Sequence, residues 1–179
     1  MSCVAMSLFT TVLPSPVGRL RLFVDDDGAL VRIDFPAADG GATLPDEDAV
    51  VDPTRCAAVI TQLREYFAGE RTVFALPLRP RGTEFQLAAW RALQQIPFGS
   101  TASYQQQARR IGRPKAVRAI GAANGRNPIP IVVPCHRVIG KDGTLTGFGG
   151  GLPAKRWLLD HERAVLERTG GALPWTTDR

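Results

Sequence analysis

Residues 127–140 read Asn-Pro-Ile-Pro-Ile-Val-Val-Pro-Cys-His-Arg-Val-Ile-Gly, and no other run limits the folds open to this chain as strongly. Its β-branched apolar residues favour a strand. Pro134 has no N–H to give a sheet ladder, so regular pairing has to stop there. The chain is therefore expected to leave a strand-like stretch and present Cys135 and His136 just past a rigid break. Neighbouring side chains of an extended backbone point to opposite sides, so a direct Cys135–His136 hydrogen bond is awkward and a bridging water is expected. A buried cysteine is usually an inert small apolar residue. Here His136, Arg137 and a basic neighbourhood favour the thiolate. The histidine needs a partner to fix its tautomer. Beyond Asp142 the acidic residues are Asp160, Glu162, Glu167 and Asp178. Asp160 and Glu162 fall on a long helical stretch, and either could reach back.

The basic neighbourhood is extensive. Between Glu84 and Asp142 there is no acidic residue, while Arg91, Arg109, Arg110, Arg113, Lys115, Arg118, Arg126, Arg137 and Lys141 are basic. Residues 1–80 carry seven arginines against eleven acidic residues; residues 81–179 carry fifteen basic residues against six acidic ones. Charge this one-sided builds a positive patch suited to a polyanion. A solvated face that only aids solubility has the same composition, and the pattern inside the stretch decides between them. Ser103–Ile111 and Lys115–Asn124 read as two short helices joined by Gly112-Arg113-Pro114, a helix–turn–helix. The second helix is nearly bare, with Ala116, Ala119, Gly121, Ala122 and Ala123 around Val117 and Ile120. Small residues let its backbone seat closely in a groove without reading base edges, with Arg118 the one long side chain in the middle of that face. Packing against a neighbouring helix is the other use of such residues.

The rest of the chain divides by pattern. Ser7–Leu13, Gly18–Val24 and Ala29–Phe35 are strand-like, punctuated by Pro14-Ser15-Pro16 and by Asp25-Asp26-Asp27-Gly28. Residues 36–52 read as an acidic loop. Asp52 and Pro53 suit a helix start, with Val59, Ile60, Leu63 and Phe67 on one stripe and Gly69 as its end. Thr83 and Gln86 form a capping-box pair ahead of Phe85, Ala89, Trp90 and Leu93. The expectation is an α+β protein: a small α/β lobe with an antiparallel sheet over residues 1–80, and a mostly helical domain with the helix–turn–helix over 81–179. Gly147-Phe148-Gly149-Gly150-Gly151 resembles a pocket wall whose amides approach a flat ligand, or a plain flexible loop.

Several classes are set aside. No apolar run is long enough to span a membrane, and the N-terminal residues do not have the make-up of a signal peptide, so a cytoplasmic protein is expected. Cys3, Cys56 and Cys135 give no disulfide framework. With His136 and His161 the only histidines, no metal-ligand spacing arises, and neither a metal nor a cofactor is expected.

From about Gly82 to Glu162, Val133-Pro134-Cys135-His136-Arg137-Val138, preceded by Asn127-Pro128 and the helix–turn–helix, resembles the active-site signature of the O6-alkylguanine-DNA alkyltransferases; the N-terminal lobe is similar more loosely. The resemblance implies single-turnover transfer of an alkyl group from O6-alkylguanine, and from O4-alkylthymine, to Cys135. It implies that His136 acts as the base through water, that Glu162 orients the histidine, that Asn127 braces the turn, and that Tyr104 helps rotate the nucleotide and protonates the leaving base. Arg118 would replace the flipped base, and Gln105, Arg113 and Ala119 fall where the family contacts DNA. Phe148, Gly149 and Val138 fall in the base pocket. The partner implied is double-stranded DNA entered by its minor groove, met by a monomer, with cooperativity on DNA left open. Phe148 stands where tyrosine is common, which removes a hydroxyl but keeps stacking, and Gly149 where some relatives have serine. Three rival classes fit less well. An alkyltransferase-like lesion binder lacks the cysteine present here. A transcriptional regulator of this type carries a Cys-rich module that this chain does not. A cysteine hydrolase would not need the acid-free basic stretch.

Overall fold

The computed structural model describes residues 7–36 and 48–171. Two compact units, Met1–Arg81 and Gly82–Arg179, each carry their own core, giving the α+β class that the pattern of strand-like and helix-like runs predicts.

The first unit is a four-stranded sheet with one helix. Strands β1 (Leu8–Ser15), β2 (Gly18–Asp25) and β3 (Leu30–Asp34) pair antiparallel, and β4 (Ala49–Val51) pairs parallel to β1, in the order β3-β2-β1-β4. Two expectations change here. Pro14 lies inside β1 rather than ending it, opposite Arg19; β4 covers only Leu8–Thr10, so Pro14 sits where the outer edge of β1 needs no donor. Part of the expected loop is the short strand β4, a parallel partner that a three-residue run of Ala-Val-Val does not announce. The remainder of that loop, residues 37–47, lies outside the described residues. Helix α1 (Ala57–Ala68) starts later than the Asp52-Pro53 signal predicts. Asp52 Oδ1 instead accepts from the backbone of Thr54 and Arg55 in a turn ahead of the helix. Gly69, at φ 75°, ends α1 as expected. Leu20, Leu22, Val59, Leu63 and Tyr66 are buried in this unit's core.

The second unit is mostly helical. Helix α2 (Glu84–Leu93) opens on the Thr83–Gln86 capping box, in which each side chain bonds the other residue's backbone. A two-residue strand β5 (Ala102–Ser103) leads into α3 (Tyr104–Arg110), itself capped by a Ser103–Gln106 box. Gly112, at φ 71°, turns the chain into α4 (Val117–Gly125). Ala89, Ala108, Ile120 and Ala123 form the core where α2, α3 and α4 meet, with Phe85, Tyr104, Ile111 and Val117 packed around it. The small residues of α4 thus divide by face. Ala123 packs inward and its carbonyl accepts from Trp90 Nε1 at 2.9 Å, while Ala119 and Ala122 are exposed.

The run 128–133 is a series of turns and not a strand. Ile131 has φ 74°, a left-handed conformation that is costly for a β-branched side chain, and it is wholly buried. The propensity of isolated Ile and Val gives way here to the prolines on either side. A single 3-10 turn, Cys135–Arg137, follows, then β6 (Val138–Ile139), parallel to β5. Helix α5 (Leu152–Thr169) closes the unit.

Candidate active site

Three elements bring the chemistry together: the 3-10 turn, the middle of α5 and the start of α3. Asn127 braces the turn from within. Its Nδ2 donates to the Val133 carbonyl at 2.7 Å and its Oδ1 accepts from Ile129 N–H at 3.0 Å. The Cys135 N–H donates to the Val133 carbonyl at 2.9 Å. Because residues 135–137 are helical, the extended-chain reason for separating Cys135 from His136 does not apply, yet the separation holds. His136 Nε2 lies 2.7 Å from Glu162 Oε1, and Nδ1 has no hydrogen-bond partner among the described residues.

Glu162, and not the exposed Asp160, meets the histidine. It is fully buried and saturated with donors. Arg137 Nη2 donates to Oε1 at 2.9 Å, Arg137 Nε to Oε2 at 3.0 Å, and the Gly99 N–H to Oε2 at 2.9 Å. Burial alone would raise this carboxyl; the charges and hydrogen bonds of His136 and Arg137 outweigh it and hold the group well below the usual carboxylate range. Burial lowers His136 against the pull of Glu162, so the imidazole rests neutral. A carboxylate acceptor at Nε2 places the proton there and leaves Nδ1 basic.

Arg137 corrects an expectation. Its guanidinium is spent on Glu162 and on the Ile96 carbonyl at 2.6 Å, so it organises the carboxylate rather than the sulfur. The expected resting thiolate is corrected as well. Burial pushes the Cys135 thiol up, and the Asn127 hydrogen bond and the Lys155 charge offset this only in part. Desolvation wins because the residue is only 7% exposed. At rest Cys135 is a thiol and the neighbouring imidazole is neutral.

Cys135 lines a pocket of about 280 Å³. Tyr104, Phe148 and the glycines Gly147 and Gly149 line it together with Gly121, Asn124 and Gly125 of α4. The glycine-rich loop is anchored rather than loose. The Tyr104 hydroxyl donates to the Thr146 carbonyl at 3.0 Å, and Lys155 Nζ donates to the carbonyls of Val138 and Thr146 at 2.6 and 2.9 Å. Val138 is absent from the lining; it is buried in the β5–β6 pair, where its carbonyl serves Lys155. Gln105, Arg113, Arg118 and Ala119 are all exposed on the helix–turn–helix, as are Arg109, Arg110 and Lys115.

Sequence reasoning missed Lys155, the Gln107–Asn124 pair and Gly99. Lys155 carried a usable signal: Ala154, Lys155, Leu158, Glu162 and Val165 are the buried residues of α5, and two charged side chains on one apolar stripe mark buried ionic partners. Gly99, at φ 76°, lets its amide reach Glu162 where a Cβ would run into Leu166. Among the described residues no group of His, Cys, Asp and Glu could hold a metal ion, and no helix is long and apolar enough to cross a membrane.

Fold and site together define a helix–turn–helix unit with a buried cysteine set in a pocket beside a carboxylate-held histidine. A family model for the 6-O-methylguanine DNA methyltransferase DNA binding domain matches residues 84–164, and one for the ribonuclease-like domain of the same proteins matches residues 8–80. A methylated-DNA–protein-cysteine methyltransferase of Haemophilus influenzae is 48% identical over 162 residues, 88% of this chain and 87% of the relative. The crystal structure of the Mycobacterium tuberculosis O6-methylguanine methyltransferase has a TM-score of 0.81 at 43% identity, covering 88% of this chain and 93% of that one. The OGT of the same organism, solved in complex with DNA, has a TM-score of 0.80 at 43% identity. This chain belongs to the 6-O-methylguanine DNA methyltransferase family.

Proposed function

We propose that this protein repairs alkylated DNA by moving the alkyl group of O6-alkylguanine onto Cys135 Sγ, once per molecule. The observation that carries this reading is the state of His136: neutral, its Nε2–H committed to Glu162 and its Nδ1 unpaired, next in the chain to a buried thiol at a pocket wall. The thiol proton passes to Nδ1 through a water, since Nδ1 makes no direct bond to the sulfur. The thiolate forms an S–C bond to the saturated alkyl carbon as the C–O6 bond breaks. Guanine leaves as Tyr104 turns its hydroxyl proton from the Thr146 carbonyl to the ring; the proton taken from the thiol then returns from the imidazolium through water to the tyrosine, so the net change is one proton moved from sulfur to guanine. The imidazolium formed in passing is stabilised by a carboxylate that stays ionised. The product thioether has no carbonyl for water to attack, so the sulfur is not regenerated.

DNA is the partner in this reading. Arg109, Arg110, Arg113, Lys115 and Arg118 are exposed and make no ion pair with a described residue, which leaves them available to phosphates. The bare outer face of α4, with Ala119 and Ala122, suits close seating in a minor groove. Gln105 and Arg113 then hold the backbone, and Arg118 fills the space left by the extruded nucleotide at a cost of about a few kcal/mol of unstacking. A substrate buried in the base stack explains why the sulfur lies behind a pocket and not on the surface. The test is transfer of labelled methyl from an O6-methylguanine duplex to the protein. The expected result is a plateau at one methyl per chain, and either no labelling or label released into solution with repeated turnover contradicts the proposal.

A further inference from the structure

The pocket that Cys135 lines draws on two kinds of residue. Tyr104 and Phe148 bring aromatic rings, with Gly147 and Gly149 on either side of Phe148 in the chain. Helix α4 brings Gly121, Asn124 and Gly125, which recur at helical spacing. A Cβ at Gly121 or Gly125 would meet nothing within 4 Å. The helix therefore leaves its backbone bare toward the pocket, and of these three residues Asn124 alone brings a functional side chain.

That side chain cannot turn freely. Gln107 Nε2 donates both to the Ala89 carbonyl at 3.1 Å and to Asn124 Oδ1 at 2.9 Å, which fixes the orientation of the Gln107 amide. Gln107 Oε1 then accepts from Asn124 Nδ2 at 2.7 Å. Flipping either amide would set N–H against N–H and oxygen against oxygen. Both residues are buried, Gln107 to 2% and Asn124 to 8% exposure. Asn124 spends one of its two N–H groups and one of the two lone pairs of Oδ1 in this pair. One donor and one acceptor remain, held in a fixed direction by the two helices of the helix–turn–helix.

We propose that Asn124 is the specificity-determining residue for the far end of the transferred alkyl group, favouring groups that end in a hydrogen-bonding atom over apolar groups of the same length. This rests on the alkyl-transfer reading above. Cys135 and Asn124 line one pocket, so in this reading the far end of a substituent longer than methyl, held at Cys135, meets Asn124. An apolar end there strips water from the free N–H and lone pair of Asn124 and returns nothing. A hydroxyl end restores one of these bonds, donating to the lone pair or accepting from the N–H.

Propyl and 2-hydroxyethyl groups are close in shape and differ in a terminal CH3 against OH. Rate constants for transfer from duplexes carrying O6-methyl-, O6-propyl- and O6-(2-hydroxyethyl)guanine are to be measured on the full-length protein. Wild type is expected to take hydroxyethyl over propyl by about tenfold. In Gln107→Leu/Asn124→Leu, which removes both amides together and so orphans neither, the ratio should fall to near one or invert. Should that variant not fold, Asn124→Met supplies the comparison. A wild-type ratio at or below one, or a ratio that survives the substitutions, overturns the inference while methyl transfer proceeds. Failure of wild type to take methyl at all sinks the alkyl-transfer reading, and this inference with it.

Discussion

Glu162 Oε1 stands 2.7 Å from His136 Nε2, with neither side chain exposed to solvent. This contact sets the tautomer of the histidine, and the same carboxylate carries Arg137 and the Gly99 amide, so the proposed catalysis and the integrity of the C-terminal core hang on one group.

Glu162→Gln keeps the shape and removes the charge. Arg137 is then left buried with no counter-charge, and the imidazolium loses its stabilising partner. The variant should lose about 3–5 kcal/mol of stability in urea unfolding and transfer methyl about 10²-fold or more slowly. A variant with near-normal stability would mean that Arg137 finds another partner.

The pH dependence follows from two buried groups. His136 is held below its ordinary value by burial, so in the unfolded chain it takes up a proton at a higher pH than in the fold. Its contribution to stability is complete above about pH 6.5 and is lost as pH falls below that toward its lower folded value. Glu162, also depressed, adds a second loss below the usual carboxylate range. Stability should thus decline in two stages on acidification. Transfer should stay level from mildly alkaline pH down past about 6.5, because the imidazole remains neutral there. Alkylation of Cys135 by iodoacetamide, with no repair geometry to help, should instead climb steadily with pH, since burial raises the thiol.

Asn127→Ala removes both bonds that hold the turn before the cysteine, and takes away a hydrogen bond that lowers the thiol. A loss of about 1–3 kcal/mol is expected, together with slower transfer and a Cys135 that reacts with iodoacetamide only at still higher pH. Gly99→Ala tests the other side of the site. The added Cβ meets Leu166 and the backbone is left-handed, so a loss of about 1–3 kcal/mol is expected from overpacking.

The legible parts of this molecule were those written in local chemistry. The Thr83–Gln86 capping box stands at the start of α2, Gly69 and Gly112 sit at positive φ where a helix ends and a turn begins, and the apolar-rich runs before residue 36 form strands. The active-site turn was readable as a break at Pro134 but misread as a strand before it. Ile and Val carry strand propensity singly, whereas three prolines and a buried left-handed Ile131 obey tertiary packing. The charge state of Cys135 could not be read either. Nearby basic residues are visible in the sequence, but burial and the diversion of Arg137 to Glu162 are not. Gln107 and Asn124 meet across 17 positions, and no periodicity announces a pair of amides.

Binding and chemistry should separate. Cys135→Ala, with its pocket otherwise intact, should hold O6-methylguanine duplex as tightly as wild type. Arg118→Ala should bind on the order of tenfold more weakly, about 1.4 kcal/mol, and show a smaller fluorescence change from a 2-aminopurine placed beside the lesion. Gel shift and fluorescence titration at one fixed salt concentration check both. A Cys135→Ala protein without DNA affinity would contradict the division of roles.

Peptide mapping after one reaction with O6-methylguanine DNA bears most directly on the central claim. Cys135 should carry a methyl thioether, while Cys56, whose buried thiol is pushed up to about 11, should stay unmodified. Methyl found on another residue, or an unmodified Cys135 peptide after the lesion has disappeared from the DNA, would contradict the account.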